Sequence, residues 1–249
     1  MNKYRMMFYP ESRFGGFADI DGTVVFYSRV NALIQPSFVV LDFGCGRGYR
    51  HREDSISFRR ELQCLKGKVT KVVGVDVDEV GRTNNGIDEF RILTPGRPWP
   101  VDDRSVDMII CDWVIEHLPD PVAFFSEARR VLVAGGYLCI RTPNAYGYVA
   151  AISRLLPDSY HAKVVSKVQT NRKAEDVFPT LYRCNTIWAL RRRLKENHFR
   201  AVVYGYEGDP AYLSFAALAY AVGVAYQKFA PGFLKPAIFA FAQLETAEP

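Results

Sequence analysis

The sequence contains no Cys-x-x-Cys pair, and its five cysteines are an odd number. That spacing supplies neither a zinc motif nor a disulfide framework, so reduced thiols in a cytoplasmic setting are expected. The N-terminal MNKYRMMFYPESR has no apolar run of signal-peptide length, so none is expected. No P-loop occurs, because no glycine-rich stretch ends in Lys followed by Ser or Thr. Charge of one sign is also scarce in excess: 32 Lys and Arg stand against 27 Asp and Glu, a net +5. Much of that excess is local, at Arg47, Arg50 and Arg52 and at Arg191, Arg192 and Arg193. A long basic face with interleaved aromatics is missing, so no nucleic-acid partner is expected. Acidic ligands and an anionic membrane surface stay open as partners. What the chain has in quantity is apolar residues, 49% of 249. That is enough for the core of one large domain, taken as 1–249.

The most informative stretch is Val39-Val40-Leu41-Asp42-Phe43-Gly44-Cys45-Gly46-Arg47-Gly48. It reads as a buried parallel strand that breaks into a loop with three glycines at alternate positions. Glycines there allow a sharp turn and a close approach of backbone N–H groups to a ligand. Asp42 stands at the strand's end, where open α/β sheets place their ligand site. The spacing G-x-G-x-G differs from the dinucleotide pattern G-x-G-x-x-G. A tight strand-to-helix turn without a ligand is the competing reading.

Along the chain, Asp19 to Ile34 has helical spacing and is stopped by Pro36. Tyr27 and Arg29 on it are within reach of a cofactor or, equally, core and surface residues. The charged segment 50–68 carries a plausible buried stripe. Val69 to Val75 is a second strand ending in Asp76, the position from which an acid accepts both ribose hydroxyls. Asp76 lies 28 positions after Gly48, longer than the usual ~20, and Asp78 is the fallback. Gly86 to Leu93 reads as an edge strand and Val106 to Cys111 as a buried one. Pro121 to Leu132 is an amphipathic helix, with Gly135-Gly136 as its cap. Tyr137 to Arg141 is a fifth strand. The alternation makes a doubly wound α/β sheet, with Asp42, Asp76, Asp112 and Thr142 at the strand tips.

Four blocks in order, LDFGCGRG, VVGVDV, SVDMIICDWVIEHLPDP and RRVLVAGGYLCIRTPN, resemble the class I S-adenosylmethionine-dependent methyltransferases over roughly 20–145. The resemblance implies a seven-stranded Rossmann-like sheet with helical insertions in the C-terminal third. A cofactor-binding core spans 18–145, and an acceptor-binding region with strands six and seven spans 146–249. It implies S-adenosylmethionine as cofactor, with Asp42, Gly44, Cys45, Gly46 and Gly48 at its methionine part. Asp76 and Val77 then meet the ribose, and Asp112 and Trp113 lie beside the cofactor or the acceptor. The acid that often follows strand three in this family is absent from Leu93-Thr94-Pro95-Gly96, so the adenine contact is unassigned.

Methyl transfer from a sulfonium needs a positioned acceptor and, for many acceptors, a base. His117 and Glu116 come from the right region for that role; a helix-capping Glu and a packed His are the alternative. Val114-Ile115-Glu116-His117 also resembles the metal segment Glu-x-x-Glu-His of ubiquinone-pathway and small-RNA methyltransferases. Trp113 replaces the first Glu of that segment, and no metal is expected.

The substrate is expected to be chosen after residue 145, with His161, Tyr182 and Arg183 as candidates. Positions 211–227 run 17 residues without a charge. A crossing between strands six and seven of one sheet would prevent the chain from rejoining that sheet. The segment is therefore read as a buried or dimer-forming helix, a peripheral membrane contact, or a lid over a lipid-like acceptor. The function expected is methylation, at oxygen, of a small or lipid-linked acceptor. A non-catalytic subunit or membrane adaptor and a nucleotide-dependent oxidoreductase are the rivals.

Overall fold

The computed structural model describes residues 3–48, 52–155 and 178–246. His161 and the basic stretch around it lie outside the described residues. Seven strands form one sheet in the order β3-β2-β1-β4-β5-β7-β6. They are β1 (Val39–Phe43), β2 (Lys71–Asp76), β3 (Glu89–Ile92), β4 (Val106–Asp112), β5 (Leu132–Pro143), β6 (Phe199–Tyr206) and β7 (Ala237–Leu244). The first five run parallel, and β7 is antiparallel to both β5 and β6. Chain order reverses between β1 and β4, so the crevice above their carboxyl ends is where such a sheet takes its ligand.

Both faces of the sheet are covered, which is why β1 and β4 read as nearly continuous apolar runs. Alternate residues still serve opposite faces. Val40, Met108 and Ile110 pack with Phe26, Tyr27 and Val30 of α2 (Gly22–Leu33). Leu41, Phe43, Ile109 and Cys111 pack on the other side with Phe125 and Ala128 of α4 (Pro121–Val131) and Leu190 and Leu194 of α6 (Ile187–Glu196). The remaining helices of this part are α1 (Lys3–Phe8), which precedes α2, together with α3 (Ser57–Gln63) and α5 (Tyr148–Leu155). Helix α2 begins where Asp21 Oδ1 accepts from the N–H groups of Thr23 and Val24. That satisfies two of the donors a helix start leaves open.

Gly135 and Gly136 do not cap α4. The helix ends at Val131, and Leu132 is already extended. The glycines sit inside β5, where the register against β4 jumps from Val106–Leu132 to Met108–Tyr137. Gly135, at φ +79°, absorbs the excess chain as an irregular bulge.

The uncharged run at 211–227 is broken into a 3-10 turn, Ala211–Leu213, and α7 (Ala217–Phe229). Thirteen residues at about 1.5 Å each reach about 20 Å, short of a ~30 Å hydrocarbon core. No helix among the described residues is long and apolar enough to cross a membrane. Tyr220 and Val224 of α7 bury against Tyr4, Phe8 and Tyr9. Gly223 is small because Pro210 crosses there, 2.5 Å from where a Cβ would stand. Leu218, Val222 and Phe229 on the opposite face are exposed.

Candidate active site

The glycine loop leaves β1 with Gly44, Gly46 and Gly48 all at positive φ, between +49° and +75°. Side chains are excluded at two of them. A Cβ on Gly44 would stand 2.4 Å from the Val114 side chain, and one on Gly48 would stand 2.3 Å from Asn84 Oδ1. At Gly46 a Cβ would meet nothing within 4 Å, because that residue faces open space. The loop is tied to β2. The N–H groups of Gly44 and Cys45 donate to Val75 O at 2.8 and 3.2 Å, and Gly46 N–H donates to Asp76 Oδ2 at 2.8 Å. Asp78 N–H donates to the other Asp76 oxygen at 3.0 Å. Each carboxylate oxygen can accept more than one bond, so Asp76 keeps capacity for a ligand hydroxyl.

Together these residues line a cleft of about 320 Å³ at the carboxyl ends of β1, β2 and β4. Asp42, Gly44, Cys45, Gly46, Gly48, Asp76, Val77, Trp113 and His117 all contribute to its wall. Asn84 supports it without having been singled out from the sequence. Its side-chain amide donates to Cys45 O at 3.0 Å while its Oδ1 accepts from Gly86 N–H at 2.9 Å. Asn84-Asn85-Gly86 is a turn signal, and that was the clue available. Leu93 lines the cleft where an acid often stands.

Asp112 is placed differently from the other strand-tip acids. It is fully buried, and Arg141 Nε and Nη2 donate to its two oxygens at 2.6 and 2.8 Å. The Tyr27 hydroxyl adds a third bond at 3.0 Å. Tyr27 thus points into the core beneath the site. A bidentate pair of this kind is held by geometry as well as charge. Trp113 follows it at φ +58°, a left-handed conformation that costs a bulky residue energy. Its N–H donates to Arg141 O at 2.8 Å, and the Arg141 guanidinium lies 5.4 Å from its ring centre.

Glu116 and His117 stay close, with Oε1 3.8 Å from Nε2, but only His117 reaches the cleft. Glu116 is buried and does not line the cleft; Thr142 Oγ1 donates to its Oε2 at 3.0 Å, and Asn185 Nδ2 donates to Thr142 Oγ1 at 2.6 Å. Its carbonyl accepts from Leu181 and Tyr182 N–H, so it fastens that segment to β5. His117 does line the cleft, with Nδ1 2.9 Å from Pro179 O and Phe178 beside its ring. Tyr182 and Arg183 line neither this cleft nor the second cavity described below; Arg183 Nη1 donates to Pro119 O at 2.6 Å. No group of three or more His, Cys, Asp or Glu among the described residues converges as a metal site would. Of the cysteines, Cys45 touches the cleft. Burial pushes the Cys139 thiol up to about 12 and the Cys184 thiol up to about 11, so both act as small apolar residues.

A second cavity of about 310 Å³ lies on the other side of Trp113, which lines both. Its walls come from α2, β5, α5 and the segment after β6.

Residues 41–140 match a family model described as a methyltransferase domain. A probable S-adenosylmethionine-dependent methyltransferase of Mycolicibacterium smegmatis is 33% identical over 108 residues, which is 42% of this chain and 38% of that protein. A ubiquinone biosynthesis O-methyltransferase of Nitrosomonas europaea is 30% identical over 137 residues, 49% of this chain and 54% of that one. The chain therefore spans between about a third and about half the length of these relatives. Among solved structures, an S-adenosylmethionine-dependent methyltransferase from Archaeoglobus fulgidus superposes with a TM-score of 0.53 at 18% identity, covering 97% of this chain and 100% of that one. A geranyl diphosphate C-methyltransferase from Streptomyces coelicolor superposes at 0.52 and 14% identity, covering 90% and 77%. These two share the fold. Sheet, glycine loop and sequence match agree: this is a methyltransferase-type α/β fold. Residues 41–140 carry a methyltransferase domain, and the Mycolicibacterium smegmatis relative that matches it is described as S-adenosylmethionine-dependent.

Proposed function

We propose that this chain methylates an oxygen atom of a small or lipid-linked acceptor. The observation that carries the reading is the tie between Gly46 N–H and Asp76 Oδ2 at 2.8 Å. It holds an open glycine cradle and a ribose-competent carboxylate on one wall of one cleft. The match of the cleft to the cofactor rests on its chemistry. The glycine loop leaves an open face at Gly46, free of any side chain, for the close approach of an amino-acid portion. Asp42 meets the ammonium of the same portion. Asp76 and Val77 take the ribose, with Asp78 beside them. Leu93 and Val80 provide apolar walls for a purine ring.

When bound, the cofactor supplies an electrophilic methyl group on a good leaving group, so the protein's part is orientation and water exclusion. Trp113 stands between the two cavities and aligns acceptor with methyl, and the Asp112–Arg141 pair holds Trp113 at its strained angle. His117, at the cleft wall, is within the region where an acceptor proton must leave. Glu116 acts behind it as a fastening group. The choice of oxygen is supported by the O-methyltransferase relatives and by the lack of an Asn/Asp-Pro-Pro-Tyr motif after β4.

The exposed stripe of Leu218, Val222 and Phe229 with Lys228 favours one secondary reading. A cytoplasmic protein that meets a membrane or a second copy of itself through α7 would reach a lipid-linked acceptor there.

Calorimetric titration with S-adenosylhomocysteine, with NADH as control and Asp76→Ala in parallel, tests the cofactor site. Binding of the first alone, weakened at least about tenfold in the variant, is the expected result. Binding of NADH instead moves the oxidoreductase reading forward. Cofactor binding without transfer to any hydroxylated or lipid-linked acceptor favours the adaptor.

A further inference from the structure

The second cavity contains a carboxylate that the proposed chemistry has not yet used. Glu207 follows β6 and lines the cavity, with the Tyr148 hydroxyl bonded to its carboxyl. It is 4% exposed, and its Oε2 has no hydrogen-bond partner among the described residues. A buried acceptor left unmade costs stability, and proteins keep such groups where a ligand completes them.

The other charges on these walls are matched. Arg5 pairs with Asp209, Arg59 with Asp21 at 2.8 Å, and Arg141 with Asp112 at 2.6 Å. Glu207 is the one charged residue of the lining without an ion pair among the described residues. Five aromatic residues, Trp113, Tyr148, Tyr206, Tyr212 and Phe239, share the wall with small and aliphatic ones. At about 310 Å³ the cavity is of small-molecule size.

From this geometry, and resting on the reading of transfer to oxygen, we propose that the second cavity binds an aromatic hydroxylated acceptor whose O–H donates to Glu207 Oε2. The aromatic walls take the ring, and the carboxylate selects the hydroxyl. The three guanidinium groups on the same walls are each engaged by a carboxylate, so the charge left over is that of Glu207, and an ammonium is the rival ligand that the test must exclude. Burial pushes the Glu207 carboxyl up to about 7, against a smaller opposing effect of the Tyr148 hydroxyl bond and of Lys235. The group therefore becomes a stronger acceptor as the pH rises through neutrality.

The test is calorimetry on the full chain, with and without saturating S-adenosylhomocysteine, using three single-ring probes. These are catechol, 1,2-dimethoxybenzene, which lacks the hydroxyls, and benzylamine, which is cationic. Catechol should bind at least about tenfold tighter than the dimethoxy compound, and tighter at pH 8 than at pH 6. Glu207→Gln should remove both differences while leaving S-adenosylhomocysteine affinity unchanged, which also confirms that the variant is folded. Equal binding of the two neutral probes, preference for benzylamine, no binding of any probe, or a catechol preference that survives in the variant overturns the proposal. Loss of S-adenosylhomocysteine binding in the wild type strikes instead at the cofactor reading, and the probe series without it still decides the role of Glu207.

Discussion

The two cavities that meet at Trp113 are built on opposite plans. The glycine-loop cleft is assembled from backbone at the tips of adjacent parallel strands: Gly44 to Gly48 follow β1 directly, and Asp76 ends β2. The second cavity is assembled from side chains that come from α2, β5, α5 and the segment after β6. Arg5 and Asp209, which pair on its wall, are 204 positions apart. A site made by a turn is written in consecutive residues. A site made by packing distant elements has no local pattern, and its residues read singly as ordinary Tyr, Glu and Arg.

The shared wall is where the comparison breaks most sharply. Asp112→Ala leaves Arg141 buried and uncompensated, and removal of one partner of such a pair costs about 3–5 kcal/mol. Urea denaturation should report that loss. If Trp113 depends on the pair, S-adenosylhomocysteine and catechol binding weaken together; weakening of one alone means that the cavities are independently supported.

Gly44→Ala probes the backbone plan. Its left-handed angle and the clash with Val114 together make a cost of about 2–3 kcal/mol. Adding Val114→Ala should recover the clash and leave the strain. Full recovery would mean that the angle itself matters little.

Glu207→Gln probes the side-chain plan with the opposite sign. The folded carboxyl sits near 7, above its unfolded value, so the folded protein binds more protons between about pH 4.5 and pH 7. That contribution to stability is complete below the unfolded value and is lost as the pH rises through about 7. The variant should therefore be more stable than the wild type at pH 8, by on the order of 2 kcal/mol, with the gain shrinking toward pH 5. Thermal melts at the two pH values measure the difference, and a pH-independent gap would remove Glu207 as its source.

The smallest effect is expected at Arg183, an exposed side chain outside both cavities that donates to a loop carbonyl. Arg183→Ala should change stability by less than about 0.5 kcal/mol and leave both binding measurements unaltered. An effect on catechol binding would bring the segment after Phe178 into the acceptor site.

Particular elements explain how far the sequence could be read. The order of strands and helices followed from periodicity, because β1 and β4 are buried on both faces and α4 on one. The glycine loop was legible because only glycine tolerates positive φ where Val114 and Asn84 approach. Gly135-Gly136 misled, since a glycine pair after a helix marks a cap as readily as a bulge inside the next strand. Register alone separates the two, and register is a property of the paired strand. Glu116 and His117 are adjacent in sequence and looked equivalent. One turn of 3-10 chain sends the first under Thr142 and the second to the cleft.

The sequence by itself determined the doubly wound sheet, the glycine loop and the acid at the tip of β2, because each rests on local backbone geometry and on spacing. Tertiary structure alone decided that Asp112 is bound to Arg141, that Trp113 separates two cavities, and that Glu207 ends with a buried unpartnered oxygen. Those outcomes depend on which distant side chains meet in the packed core. There, the cost of leaving a polar group unsatisfied is set by neighbours that no local pattern names.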